Sequence, residues 1–122
     1  MKIRTGFVSN SSSCSFTITN LSDKELTIVD FVKENPQFVK DFIEEYDWYK
    51  EDKFNQGAMI SSAQDRINKS RNSLEYIFKP HQSNYLTFGD EEGDIIGHVF
   101  DYMLRDGGKS ENFIWNLEEM NR

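Results

Sequence analysis

Residues 94–117 read DIIGHVFDYMLRDGGKSENFIWNL, and this stretch carries the two clearest structural patterns of the chain. Its first half places apolar residues at helical spacing, which predicts an amphipathic helix over 94–105. The glycine pair at 107–108 then gives that helix a C-terminal stop. In the second half, Phe, Trp and Leu alternate from Phe113 to Leu117, as in a strand. We therefore expect this helix and this strand to form the core of the fold.

The segments upstream add strands and helices. Phe16 and Ile18 alternate with polar residues and predict a short strand. Ser22 and Glu25 match a capping box, which predicts a helix that ends before Pro36. A second helix restarts at Pro36, and a weaker third helix is expected over 58–69.

The middle of the chain contains two segments rich in β-forming residues, 74–78 and 85–88. They flank the turn-prone sequence KPHQSN and predict a hairpin. With strands at both ends and helices between them, the pattern predicts a single α+β domain. We expect a mostly antiparallel sheet with helices packed on one face.

Charge divides the chain into two parts. Lys2 and Arg4 are the only charged residues before Asp23, and they lie in a serine-rich segment. Because their two positive charges are included in the formal charge of −7, residues 23–122 carry −9. We interpret residues 1–22 as a basic arm leading into a first strand, and 23–122 as an acidic α+β body that folds as one unit. Because the net charge is negative, we expect no direct binding to nucleic acid.

The first sixteen residues, MKIRTGFVSNSSSCSF, resemble the signature M-K-I-R-x-G-F-V-S-N-S-S-S-S-S-F of small, mostly uncharacterised proteins of bacteriophages and bacteria. The resemblance continues through TIVDFVKENPQ and FGDEEGDIIGHVFDYMLRDGGKSENFIW. It implies a phage or bacterial origin and a place in the bacterial cytoplasm or the virion, and it brings no assigned activity. Cys14 replaces a serine of the signature, which argues against chemistry that needs a hydroxyl there.

Composition limits the class of protein. A chain of 122 residues is one domain, and its ten Phe, five Tyr and two Trp supply bulky core material. The single cysteine excludes an internal disulfide framework and a cysteine-based zinc site. The opening residues lack the apolar region of a signal peptide, and no stretch approaches the roughly 20 apolar residues that span a bilayer. We expect a soluble protein with no membrane partner.

Two groups of residues suggest metal or catalytic chemistry. Asp90-Glu91-Glu92-Gly93-Asp94 offers hard oxygen ligands, but an EF-hand register starting at Asp90 places Ile95 where glycine is needed. His98 and Asp101 share a helix face with Asp94 and Arg105. A small metal-dependent enzyme built on the 90–101 region is therefore an alternative, while helix capping and solvation explain the same residues. We expect no bound metal and no cofactor.

Nucleophilic catalysis has no support in the sequence. Cys14 lies among serines without an activating base nearby, and no nucleophile elbow surrounds any serine. A buried cysteine acting as a small apolar residue is the expected role. We therefore predict that the protein is not an enzyme.

The arm has features of a docking element, because isolated positive charges and apolar residues stand between polar runs. Its predicted docking residues are Lys2, Arg4, Phe7, Val8, Ser9, Asn10, Ser11, Ser12 and Ser13. A second candidate surface mixes acids with aromatic rings, unless the rings belong to the core and the acids to a solvated face. Its residues are Glu44, Glu45, Asp47, Trp48 and Tyr49.

The sequence favours a non-enzymatic binding or assembly protein, such as a phage virion or accessory component, that attaches to another protein or to copies of itself. An acidic inhibitor that imitates nucleic acid and occupies the basic cleft of a host enzyme is the second reading. The acids are spread over several predicted elements, which favours the first.

Overall fold

The computed structural model describes residues 13–45, 55–70, 73–89 and 95–121. The described strands are β1 (Ser13–Asn20), β2 (Leu26–Thr27), β3 (Ile77–Phe78), β4 (Ser83–Gly89), β5 (Gly108–Lys109) and β6 (Phe113–Asn121). The described helices are α1 (Ile28–Glu34), α2 (Gln37–Glu45), α3 (Gln56–Lys69) and α4 (Ile95–Met103), with a 3₁₀ helix at Ser73–Tyr76. None of these helices is both long and apolar enough to cross a bilayer.

The main sheet has the strand order β4-β1-β6-β5, and each neighbouring pair is antiparallel. Its central strand β1 is apolar on the face that meets the helices, where Cys14, Phe16 and Ile18 are buried. The small second sheet pairs β2 with β3, also antiparallel. The predicted α+β domain with a mostly antiparallel sheet and helices on one face is confirmed.

The predicted division at residue 22 falls after β1. The side chains of Cys14, Phe16 and Ile18 belong to the same hydrophobic cluster as those of the helices, so residues 13–20 are part of the folded core. Residues 1–12 of the predicted arm lie outside the described residues.

The core is built from aromatic rings. Phe31 of α1 packs edge-on against three rings from two other elements, α4 and β6, with centroid separations of 5.4 Å to Phe100, 5.1 Å to Phe113 and 5.3 Å to Trp115. Phe38 lies 6.0 Å from Phe31 and adds α2 to the cluster. These rings join three helices to β6, which confirms that the 94–105 helix and the final strand lie in the core.

The start of α1 differs from the prediction. The helix begins at Ile28, and Thr27 and Asp30 form its capping box, because the Asp30 carboxylate accepts from the Thr27 N–H at 2.8 Å. The predicted Ser22–Glu25 box is wrong. The Ser22 hydroxyl instead donates to Asn20 Oδ1 at 2.7 Å, so it is occupied in a turn. The helix ends as predicted, with Asn35 as its C-cap.

The predicted hairpin of 74–78 with 85–88 is wrong. Residues 73–76 form the 3₁₀ helix, β3 pairs with β2, and β4 pairs with β1 over its full length. The side-chain amide of Asn84 donates to the carbonyl oxygens of Glu75 and Ile77 at 2.9 Å each. The Asn84 side chain of β4 thus hydrogen-bonds to carbonyl groups that would have accepted backbone N–H groups in the predicted hairpin.

Truncating the core rings tests their burial. Phe100→Ala and Trp115→Ala should each lower the free energy of unfolding by roughly 3 to 5 kcal/mol, because each removes a packed ring and leaves a cavity. Urea unfolding monitored by circular dichroism measures the change. Leu74→Ala is the control, since this side chain is 65% exposed. Equal midpoints for the three variants would contradict the assignment of the core.

Gly108 is the second test, because its cross-strand partner Trp115 lies over it. A Cβ at position 108 would come within 2.5 Å of Trp115 Cζ2, so Gly108→Ala should cost roughly 1 to 3 kcal/mol through forced repacking. Gly57→Ala in the first turn of α3 is the matched control, because the nearest atom to its added Cβ, Asn55 Oδ1, is 3.4 Å away. The control should be neutral or stabilise by about 0.5 to 1 kcal/mol. Urea unfolding measures both variants, and equal free energies of unfolding for Gly108→Ala and Gly57→Ala would contradict the close packing of Trp115 on Gly108.

Candidate functional site

The single cysteine lies in a polar cluster inside the core. Cys14 is fully buried and its thiol donates to the carboxylate of Asp101 on α4. Arg105 closes the cluster, with Nε donating to the Asp101 carbonyl oxygen at 2.7 Å and Nη2 to Oδ1 at 3.3 Å. Its guanidinium carbon lies 4.5 Å from the Tyr102 ring centroid.

This cluster suits a structural role. Burial and the adjacent Asp101 carboxylate raise the pKa of the Cys14 thiol to about 11, so the thiol is protonated at neutral pH. A protonated, fully buried thiol is a poor nucleophile. The buried carboxylate and its arginine satisfy each other, and together with the thiol they join α4 to the central strand.

Of the residues predicted for metal chemistry, Asp101 of α4 and Arg105 contact each other. Asp101 turns inward to Cys14 and Arg105, although the helix pattern placed it on a polar face with His98. Residues 90–94 lie outside the described residues. Within the described ranges, no three His, Cys, Asp or Glu side chains are grouped as metal ligands.

The predicted docking residues Lys2, Arg4, Phe7, Val8, Ser9, Asn10, Ser11 and Ser12 lie outside the described residues. Ser13 is the first residue of β1, where it pairs with Gly89 on one side and Asn121 on the other. In the second predicted surface, Glu44 and Glu45 are exposed at the end of α2. Its other members, Asp47, Trp48 and Tyr49, also lie outside the described residues.

The sheet face that points away from the helices is lined by small hydroxyl side chains. Ser15 Oγ lies 2.8 Å from Thr87 Oγ1, and Thr19 Oγ1 lies 2.6 Å from Ser83 Oγ, so cross-strand hydroxyl pairs join β1 to β4. Tyr85 is 56% exposed on this face. These hydroxyl pairs satisfy each other without a ligand.

A β-bulge brings a carboxylate to the same face. Phe16 pairs with Leu117 whereas Ser15 pairs with Glu119, so Glu118 is the additional residue of the bulge. The shift gives Glu119 the outward direction of its partner Ser15. The Tyr85 hydroxyl donates to Glu119 Oε1 at 3.1 Å and thereby reaches across β1 from one outer strand to β6.

The β4 strand is an edge of the sheet, since no other described strand pairs with it beyond β1. Its seven residues, SNYLTFG, contain no charge and no proline, and its register with β1 is regular throughout. Natural edge strands usually carry lysine, proline or a bulge that discourages further pairing. Two large exposed apolar side chains border this edge, Tyr85 at 56% and Leu74 of the adjoining 3₁₀ helix at 65%. The sequence pattern missed this edge because it paired β4 with the wrong strand.

At the buried end of the β4 edge, a side chain of α3 donates a hydrogen bond to the strand backbone. Arg66 is 8% exposed, and its Nη1 donates to the Tyr76 hydroxyl at 3.1 Å and to the Thr87 carbonyl oxygen at 3.4 Å. Its guanidinium carbon also lies 5.0 Å from the Phe88 ring centroid. The Thr87 end of the edge therefore already has a donor.

The loop at the other end of the molecule is held by one carboxylate. Glu34 accepts from the Asn112 N–H at 2.7 Å, from Asn112 Nδ2 at 2.9 Å and from the Ser110 hydroxyl. Burial acts to raise the pKa of Glu34, but these hydrogen bonds hold it below its ordinary value. The clamp fixes the turn between β5 and β6 against the end of α1, and it is structural in character.

No family model, curated protein or solved structure matches this chain.

The Glu34 clamp makes stability dependent on pH. Because the pKa of this carboxylate is lower in the folded than in the unfolded chain, its contribution is fully present above the unfolded value of ~4.3 and is lost as pH falls through the folded pKa. Glu34→Gln should cost on the order of 1 kcal/mol at neutral pH and flatten the acid limb of the stability profile. Urea unfolding between neutral and acidic pH measures both. Glu44→Gln on α2 is the control, and a Glu34→Gln profile parallel to the parent's would contradict the clamp.

Proposed function

We propose that this protein is a non-enzymatic binding or assembly protein that attaches to another protein, or to copies of itself, and uses its N-terminal arm as the docking element. The observation that carries the proposal is the uncharged edge of β4, with which no described strand other than β1 pairs and which is bordered by Leu74 and Tyr85. An exposed strand edge next to apolar side chains is suited to protein partners, because backbone hydrogen bonds and side-chain contacts are offered together. The resemblance of the first sixteen residues supports a place in a bacterial cell or a phage virion.

The contents of the polar cluster support binding over catalysis. Asp101 is fully buried, and the Cys14 thiol donates to its carboxylate, so neither group faces a site that a substrate can enter. The described contacts of Asp101 with Cys14 and Arg105 support a structural role for this carboxylate over the alternative of a metal-dependent enzyme built on the 90–101 region.

The distribution of acids supports an assembly role over imitation of nucleic acid. A mimic needs carboxylates in rows with phosphate-like spacing on one surface. The exposed carboxylates of Asp23, Asp41, Asp65 and Glu111 lie on separate elements of the fold.

Deleting residues 2–12 tests the role of the arm. The deletion ends immediately before β1, so the sheet keeps its central strand, and we expect a folded protein that has lost partner capture. Tagged full-length and deleted chains are used as bait in extracts of the native host or virion. Bound proteins are identified by mass spectrometry and bound again in purified form.

Deletion of residues 2–16 is the matched control for folding, because it also removes the buried Cys14 and Phe16 and should unfold the domain. Circular dichroism and urea unfolding compare the two deletions. Partner capture that survives removal of residues 2–12 in a folded protein would refute the docking role, as would unfolding of that shorter deletion.

A further inference from the structure

We infer that residues 2–8 of one copy add as a strand to the edge of β4 in a second copy, where no described strand other than β1 pairs with it. This inference rests on the proposed function, in which the arm is the docking element, and it names the surface that receives it. The Thr87 end of the edge is engaged by Arg66, so the addition centres on the Ser83–Tyr85 half of β4.

The first argument is the difference between the two edges of the sheet. The β6 side carries the bulge at Glu118, the exposed carboxylates of Glu118 and Glu119, and the short strand β5 with Lys109. Bulges, charges and short strands all discourage strand addition. The β4 edge has seven uncharged residues in regular register, so strand addition is favoured at that edge.

The second argument is the match of side chains. In an extended strand, alternate residues point to opposite faces, so Lys2 and Arg4 would share one face and Ile3 and Phe7 the other. The β4 edge is divided in the same way. Tyr85 and its bonded partner Glu119 lie on the outer face of the sheet. Leu74 belongs to the 3₁₀ helix, which binds the inward-facing side chain of Asn84 through the Leu74 and Glu75 carbonyls.

In this alignment, the basic face of the arm lies beside Tyr85 and its apolar face lies beside Leu74. The cationic side chains of the arm meet the ring of Tyr85 through cation–π contacts, while the Glu119 carboxylate on β6 lies about 14 Å of sheet width away and adds only a longer-range attraction. The apolar side chains cover Leu74, which is otherwise 65% exposed. The arm is also the basic part of a chain with a formal charge of −7, so it is attracted to the body of another copy.

The third argument selects a second copy over the same chain. The arm joins β1 at Ser13, which pairs with Gly89 at the far end of β4. An arm that turned back along its own β4 would therefore run parallel to that strand. A second copy can approach in the antiparallel direction, which is the more stable form of pairing per residue. Such head-to-tail contacts build rings or open chains of copies.

Disulfide trapping in the full-length protein tests this contact. A Gly6→Cys variant, whose side chain falls on the Lys2 and Arg4 face of the extended arm, is mixed with a Ser83→Cys variant that carries a tag of different mass, because Ser83 lies on the matching outer face of β4. The mixed disulfide is measured under mild oxidation. The native Cys14 does not compete, because it is fully buried and its pKa is raised to about 11. The matched control replaces Ser83→Cys by Lys109→Cys, an exposed position on the opposite edge strand.

We expect the arm cysteine to trap position 83 roughly tenfold more efficiently than position 109, because strand addition raises the local concentration of the two thiols. Reversing the arm charges with Lys2→Glu and Arg4→Glu should reduce trapping by roughly tenfold at low salt. Reversing the charges of two exposed helix residues, Lys33→Glu and Lys40→Glu, makes the same change in net charge and should leave the trapping yield much less affected.

Three results would overturn the inference. Equal trapping at positions 83 and 109 removes the preference for the β4 edge, and absence of trapping at both removes the contact. A chain carrying both Gly6→Cys and Ser83→Cys that closes its own disulfide on dilution shows that the arm binds its own edge. If trapping fails while deletion of residues 2–12 still abolishes capture of an identified partner, the acceptor is wrong and the proposed function stands.

Discussion

The rest of the structure depends on the position of the Phe31 ring. It meets Phe38, Phe100, Phe113 and Trp115 at centroid separations between 5.1 and 6.0 Å, so this one side chain of α1 contacts α2, α4 and the final strand β6. Edge-on ring contacts of this kind stabilise beyond the area they bury. Since α1 has only seven residues, it has little helical stability of its own. The helix therefore depends on both its Thr27 cap and the packing of Phe31 against the other rings.

The central strand β1 imposes the second constraint, because it must satisfy buried polar groups at both ends. At one end, Cys14 meets the Asp101–Arg105 pair of α4. At the other end, the fully buried Asn20 amide donates to the carbonyl oxygens of Lys24 and Phe78 at 2.6 and 3.0 Å. These contacts join the main sheet to a helix on one side and to the small second sheet on the other. A buried polar group left unpaired is costly, so the two ends position these elements.

The sequence predicted the fold where the signal was local and strong. The helix over 95–103 and the strand from Phe113 followed from periodicity, since their apolar faces are continuous. The hairpin failed because β3 and β4 each select a partner distant in sequence, and alternation alone carries no information on partners. The Ser22 cap failed for a related reason, because Asn20 binds the hydroxyl that the motif requires. The Cys14–Asp101 contact joins residues far apart in the chain, so no spacing rule reveals it.

The two outer sides of the sheet differ in regularity and charge. Placing Glu119 outward requires the bulge at Glu118, and that bulge disturbs the β6 side of the sheet. The outward Glu119 carboxylate accepts a hydrogen bond from the Tyr85 hydroxyl of β4. The bulge that interrupts β6 therefore also fixes the position of an aromatic side chain on β4. The Arg66 contact to Thr87 further restricts the accessible part of β4 to its first half. Among the described strands, the first half of β4 is therefore the regular, uncharged stretch at an edge of the sheet, and it is the surface to which our proposal assigns a segment that is basic on one face and apolar on the other.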